Sequence, residues 1–172
     1  MAKTLIAFYS HAGENYVDGG VRFLKRGNNE VIVEKIKAAL PEADVFRIET
    51  VKKYKQDYYE LIEEAKQELR AKARPELTDT VKDMDQYDTI ILGYPNWWGT
   101  MPMCVFTFLE AMTGPGRQSF LSLPTKEAAG GSGLRDLKAV LPVATIGKGL
   151  AIQGSKVSTS MPRIEQFVTG GK

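Results

Sequence analysis

The sequence predicts an α/β domain in which a parallel sheet is covered by helices on both faces. Three observations carry this reading. Residues 5–9 and 88–94 are apolar runs without alternation, as in strands buried on both sides. Strand-like and helix-like stretches alternate five times along the chain, the pattern of successive parallel strands with crossover helices. The chain has 172 residues, 43% of them hydrophobic, enough for one domain with its own core spanning 1–172.

The first strand is expected over about 3–9, and a sharp break follows at Ser10. Residues 14–28 are too long for an ordinary strand-to-helix loop and read as a surface excursion or as a wall over a site. This stretch holds Gly19-Gly20 and the basic residues Arg22, Lys25 and Arg26. A helix follows over about 29–40, with Val31, Ile32, Ile36 and Leu40 at helical spacing and Pro41 as its stop. Asn28 or Asn29 is placed to cap it. Residues 44–49 alternate as a short strand. Residues 57–73 form an amphipathic helix with Leu61, Ile62, Ala65 and Leu69 on one side, ended by Pro75. Tyr54, Tyr58 and Tyr59 beside it are read as packing residues.

The strand at 88–94 leads into Pro95-Asn96-Trp97-Trp98-Gly99-Thr100, then a helix to about 111 with Pro102 in its first turn. A strand at 118–123 is expected to end at Pro124, followed by a Gly-rich loop at 125–133 and a short helix at about 134–140. The last strand lies within 142–152, broken by Gly147 and Gly149. A final helix at 161–169 has Ser160 as its cap.

Composition narrows the function classes. Lys and Arg number 23 against 21 Asp and Glu, so no strong field favours nucleic acid. No apolar run is long enough to span a membrane, and the N-terminus lacks a secretory signal, so a cytoplasmic protein is expected. Cys104 is the single cysteine and reads as a buried small hydrophobe rather than a nucleophile. His11 is the single histidine, which argues against a histidine-built metal site or a triad.

In a parallel sheet, ligands sit beyond the carboxyl ends of the strands. The loops expected there are 10–15, 95–100 and 125–133, and all three have unusual composition. A strand, a tight polar loop and a helix start make an anion site from backbone N–H groups, to which Ser10 adds a hydroxyl. Neither a dinucleotide fingerprint nor a Walker loop is present. Of two adjacent tryptophans, one packs inward while the other offers a flat face. An aromatic face beside an anion site suits a planar, phosphorylated heterocycle, and the glycines of the third loop allow close backbone approach.

These stretches resemble those of the flavodoxin family, and within it the bacterial flavodoxin-like proteins with an extended first loop. Ser10-His11-Ala12-Gly13-Glu14-Asn15-Tyr16 resembles the start of their phosphate loop, and Gly27-Asn28-Asn29-Glu30 the opening of their first helix. The run from Leu92 through Pro95-Asn96-Trp97-Trp98-Gly99-Thr100 to Met103 is the most specific match. Phe106 to Glu110 and Gly149 to Ser155 match as well. The resemblance implies a flavodoxin-like three-layer sandwich, its five parallel strands in the order 2-1-3-4-5, with one FMN held noncovalently. It assigns the phosphate to Ser10, Ala12 and Gly13 with Asn28 and Asn29, and counts Glu14 among the cofactor-binding residues. It assigns the isoalloxazine to Pro95, Asn96, Trp97, Trp98 and Gly99, and the third wall to Thr125, Lys126, Glu127 and Gly130. Ala12 and Asn29 stand where the family usually has threonine, and Lys126 where it has histidine. A backbone carbonyl of Asn96 or Trp97 is the implied acceptor for a flavin N5 proton.

The expected function is electron carriage by an FMN protein, one or two electrons at a time, between redox partners. An FMN-dependent NAD(P)H oxidoreductase acting on a quinone or similar small acceptor is the alternative, and a fold that has lost the flavin is the third. The near balance of charge weighs against the first, because shuttles of this fold are usually strongly acidic. The expected partner is a redox protein or a small-molecule acceptor, and the chain is a monomer or a homodimer, with nucleic acid and membranes excluded.

Overall fold

A computed structural model describes residues 3–112, 119–125, 132–147 and 149–169. The chain opens with β1 (Thr4–Phe8) and then forms an antiparallel hairpin, β2 (Gly13–Val17) and β3 (Gly20–Leu24), before helix α1 (Asn28–Ala39). Strand β4 (Asp44–Arg47), helix α2 (Tyr58–Ala71) and strand β5 (Thr89–Pro95) follow. Helix α3 (Met103–Glu110), strand β6 (Ser119–Thr125), helix α4 (Gly133–Val140), strand β7 (Thr145–Ile146) and helix α5 (Met161–Thr169) complete it.

The five strands outside the hairpin form one parallel sheet in the order β4-β1-β5-β6-β7. Successive residues of a strand point to opposite faces, and β1 shows the consequence. Leu5 and Ala7 join a core with Ile90, Leu92, Leu61, Phe108 and Leu137, under α2, α3 and α4. Ile6 and Phe8 join the opposite core with Ile32, Ile36, Ile91 and Ile164, under α1 and α5. Both faces are therefore dry, which is why β1 and β5 read as unbroken apolar runs. The connection from β1 leads to one side of the sheet, and β5 lies on its other side. That reversal opens a crevice beyond the ends of β1 and β5.

The structure sharpens one expectation and corrects three. Residues 14–28, expected as a surface excursion or a wall, are mostly a hairpin. Asp18 and Gly19 form its two-residue turn, with φ of 52° and 79°, the left-handed pair that a tight hairpin turn needs. Strand β6 does not stop before Pro124. The Pro124 carbonyl accepts the Ile152 N–H at 3.0 Å, so the missing N–H faces a stretch beyond the end of β7 where no regular ladder needs it. The last strand shrinks to two residues, yet Gly147, Leu150 and Ile152 still donate backbone bonds to β6 at 2.9–3.0 Å. The Ser160 hydroxyl does not cap α5 but donates back to the Val157 carbonyl at 2.6 Å, while the Ser160 carbonyl accepts the Ile164 N–H.

Candidate cofactor cleft

The loop after β1 turns against the start of α1. Ser10 is 6% exposed, and its Oγ accepts the Glu30 N–H at 3.1 Å, capping a helix that has no side-chain cap of its own. Gly27 makes this approach possible. A Cβ there would lie 2.1 Å from Ser10 Oγ and 2.7 Å from the His11 carbonyl oxygen. The cap is thus Ser10, not Asn28 or Asn29. Among the described residues, the N–H groups of His11, Ala12, Asn28 and Asn29 have no acceptor. Four open donors around a helix N-terminus make an anion-binding arrangement. Two buried side-chain atoms nearby also lack partners, His11 Nε2 and Asn29 Oδ1. The Asn29 amide nitrogen donates to Thr125 Oγ1 at 3.0 Å, tying α1 to the end of β6. Burial lowers the His11 imidazole to about 4, so it is neutral near pH 7.

The aromatic wall comes from the loop after β5. Trp97 and Thr100 exchange backbone hydrogen bonds at 2.9 and 3.1 Å around a two-residue turn, in which Trp98 and Gly99 have φ of 52° and 84°. A left-handed conformation is uncommon for a bulky residue, and it separates the two indoles. Trp97 turns inward and meets Tyr54, Tyr9 and His11 edge-on, with ring centroids 5.1, 5.4 and 6.1 Å away. Trp98 is 49% exposed, and its Nε1–H donates to the Ile62 carbonyl at 2.8 Å, with Lys66 over its ring. Asp136 fixes the far side of the turn by accepting from the hydroxyls of Thr100 and Ser132.

Between these parts lies a cleft of about 400 Å³, lined by Asn28, Pro95, Asn96, Trp97, Trp98 and Thr125 together with residues of the hairpin and α2. Six of the sequence-predicted residues therefore converge. Ser10 and Asn29 stand just behind the lining, building the helix start. Gly13 and Glu14 are directed elsewhere. Gly13 packs on Gln56, while the Glu14 carboxylate accepts the Tyr58 N–H at 2.7 Å and so caps α2. Ala12 is half-buried outside the lining, and Gly99 serves the turn through its carbonyl, which accepts from Ser132. Lys126, Glu127 and Gly130 lie outside the described residues.

The wall expected from 14–28 supplies Asn15 and Tyr16, whereas sequence reasoning missed the lining from α2, Tyr58, Leu61, Ile62 and Ala65, and, from a distant loop, Gly154. Tyr58, expected to pack, lines the cleft and lies against Tyr16, with ring centroids 6.1 Å apart. The available signal was Asp18-Gly19. It marks a two-residue hairpin turn, and folding the hairpin back brings Tyr16 to α2.

An α/β protein with a ligand cleft at the switch point of a parallel sheet is defined by these features. Residues 21–167 match the flavodoxin family, and the chain belongs to that family. No curated protein gives a significant match. Among solved structures, a protein of Bacteroides uniformis assigned as a flavoprotein is 22% identical, with a TM-score of 0.72 and 97% of each chain covered. A flavoprotein of Lactobacillus acidophilus, solved in complex with FMN, is 21% identical, with a TM-score of 0.69 over 92% of this chain and 98% of that one. A WrbA-like flavodoxin protein of Agrobacterium tumefaciens is 14% identical, with a TM-score of 0.55 and both chains covered to 100%. These likenesses show the shared fold. Among the described residues, no helix is long and apolar enough to cross a membrane.

Proposed function

We propose that this chain binds one FMN noncovalently in the cleft and carries electrons between redox partners. The single observation behind this is that an inward-braced tryptophan, Trp97, and the open N-terminus of α1 face the same cleft at the sheet's switch point. The volume of about 400 Å³ falls within the ~300–1,000 Å³ usual for sites that enclose small molecules. The donor set suits a phosphate, and the wall suits a flat ring.

Bound FMN supplies one- and two-electron redox chemistry. The chain's own residues divide the remaining work. The N–H groups of His11, Ala12, Asn28 and Asn29 would hold the phosphate, aided by the partial positive charge of the helix start. Backbone donors serve here without the hydroxyls that Ala12 and Asn29 lack. Pro95, Asn96 and Trp97 would line the ring, and the apolar Leu61 and Ala65 would exclude water from it. The Trp97 carbonyl already accepts the Thr100 N–H, so the Asn96 carbonyl is the better acceptor for a ring proton.

A second reading, an NAD(P)H oxidoreductase with a small-molecule acceptor, is favoured by one observation. The net charge of +2 gives no overall negative field for steering a protein partner. Both readings are tested together. Purified protein is incubated with FMN, freed of excess by gel filtration and examined for a retained flavin spectrum. NAD(P)H is then added with and without a quinone. Retained flavin reduced only through a partner reductase supports the carrier; rapid direct oxidation of NAD(P)H supports the oxidoreductase. A folded protein that retains no flavin contradicts both.

A further inference from the structure

We propose that His11 is a side-chain ligand of the FMN phosphate, and that its imidazole takes up a proton from solvent when the cleft fills. The role rests on the FMN reading above. It goes further by adding one residue that becomes charged to a site otherwise built from neutral backbone donors. His11 is 7% exposed, and its Nε2 has no hydrogen-bond partner among the described residues. A buried polar atom left unpaired is costly, and this one lacks a partner that the free chain does not supply.

The same residue shows where that partner belongs. The His11 backbone N–H is one of the four open donors around the start of α1. An anion held by it lies within the length of the imidazole side chain, and rotation of that side chain turns Nε2 to it. The ring also lies edge-on to Trp97, with centroids 6.1 Å apart, and Trp97 lines the cleft. The other buried orphan, Asn29 Oδ1, cannot share this role. It is an acceptor, and it lies against the sheet, where a Cβ on Gly93 would come within 3.3 Å of it.

The neighbouring groups leave the charge to the ligand. Burial holds the imidazole of the free chain down at about 4. Tyr9 and Tyr54 meet His11's neighbour Trp97, and burial keeps both phenols protonated. On α1, the Glu30 carboxylate pairs with Arg26 and Arg47. On β2, the Glu14 carboxylate is taken by the Tyr58 N–H. A phosphate beside the ring supplies the missing negative charge, which favours the imidazolium and opposes the effect of burial. FMN should then be held more tightly as pH falls, through His11, while riboflavin, which lacks the phosphate, should not.

The chain has one histidine, so a tag-free, 15N-labelled protein gives an unambiguous imidazole signal by nuclear magnetic resonance. Its titration is followed in the free protein, with riboflavin and with FMN. FMN is expected to raise the midpoint from about 4 to about 6 or above, and riboflavin to leave it near its free value. Binding titrations at pH 8 and pH 5 give the second readout. The FMN phosphate has its own proton, with a pKa of about 6, and that background is common to the wild type and His11→Gln. Against it, the wild type should gain about tenfold in FMN affinity over His11→Gln on going to pH 5. FMN that binds without moving the His11 midpoint, or the same pH dependence in both proteins, overturns this role alone. A folded wild type that binds no FMN overturns the flavin reading and this role with it.

Discussion

The Ser10 hydroxyl occupies the space that a side chain at position 27 would fill. A Cβ on Gly27 would lie 2.1 Å from Ser10 Oγ, and that same oxygen accepts the Glu30 N–H at 3.1 Å. Gly27 has φ of −64°, so its backbone does not demand glycine; the close approach does. Gly27→Ala must therefore push the loop after β1 away from α1. The expected cost is about 1–3 kcal/mol in denaturant unfolding. FMN affinity should fall with it, because the displaced loop carries the open donors.

Ser10→Ala tests the same junction more gently. It removes the side-chain cap on the α1 start without creating a clash. A loss of about 1 kcal/mol is expected, read as a lower thermal midpoint.

The two tryptophans should separate cleanly. Trp97 braces Tyr9, Tyr54 and His11, so Trp97→Ala is expected to lose about 2–4 kcal/mol. Trp98 holds a left-handed φ of 52° on an exposed turn. Trp98→Gly relieves that conformation while losing the bond to Ile62 and the Lys66 contact, so stability should change by no more than about 1 kcal/mol. Equal losses in equilibrium unfolding of the two variants would contradict the division of roles.

His11 ties stability to pH. Its folded value of about 4 lies below the unfolded value of 6.5. The unfolded chain therefore takes up the proton first as pH falls. Stability from the neutral imidazole is complete above about 6.5 and is lost progressively down to about 4. After allowance for partial screening the effect is about 2–3 kcal/mol. The difference in unfolding free energy between the wild type and His11→Gln should shrink or reverse across that interval. A difference independent of pH would contradict the assignment.

Cys104 is fully buried in α3, and burial pushes its thiol up to about 12. It should resist a disulfide reagent in the native protein at pH 8 and react at once in denaturant. Fast native labelling would show that α3 opens locally.

Much of this architecture was legible because one physical signal repeats. β1 and β5 are dry on both faces, and nothing but an apolar run can fill such a strand. The loop positions followed, because a parallel sheet collects its loops at one end. The phosphate loop was legible in outline, but Glu14 shows where motif reading stops. A carboxylate beside an anion site has another use here, capping α2 through Tyr58. Likewise, Tyr58 and Tyr16 are far apart in sequence and meet only because the hairpin folds back. The short β7 was overextended because Gly147 and Gly149 sit close to β6 without a regular ladder. A Cβ at Gly149 would lie 3.3 Å from the Ser122 carbonyl oxygen.

The central claim is that the cleft between α1, α2 and Trp97 holds FMN. The most direct measurement is a titration of the flavin-free protein with FMN, followed by flavin fluorescence, in the wild type and in Trp97→Phe and Gly27→Ala. The account predicts one-to-one binding with strong quenching in the wild type, reduced quenching in Trp97→Phe and weaker binding in Gly27→Ala. A folded wild type that leaves FMN fluorescence unchanged at saturating protein would contradict it.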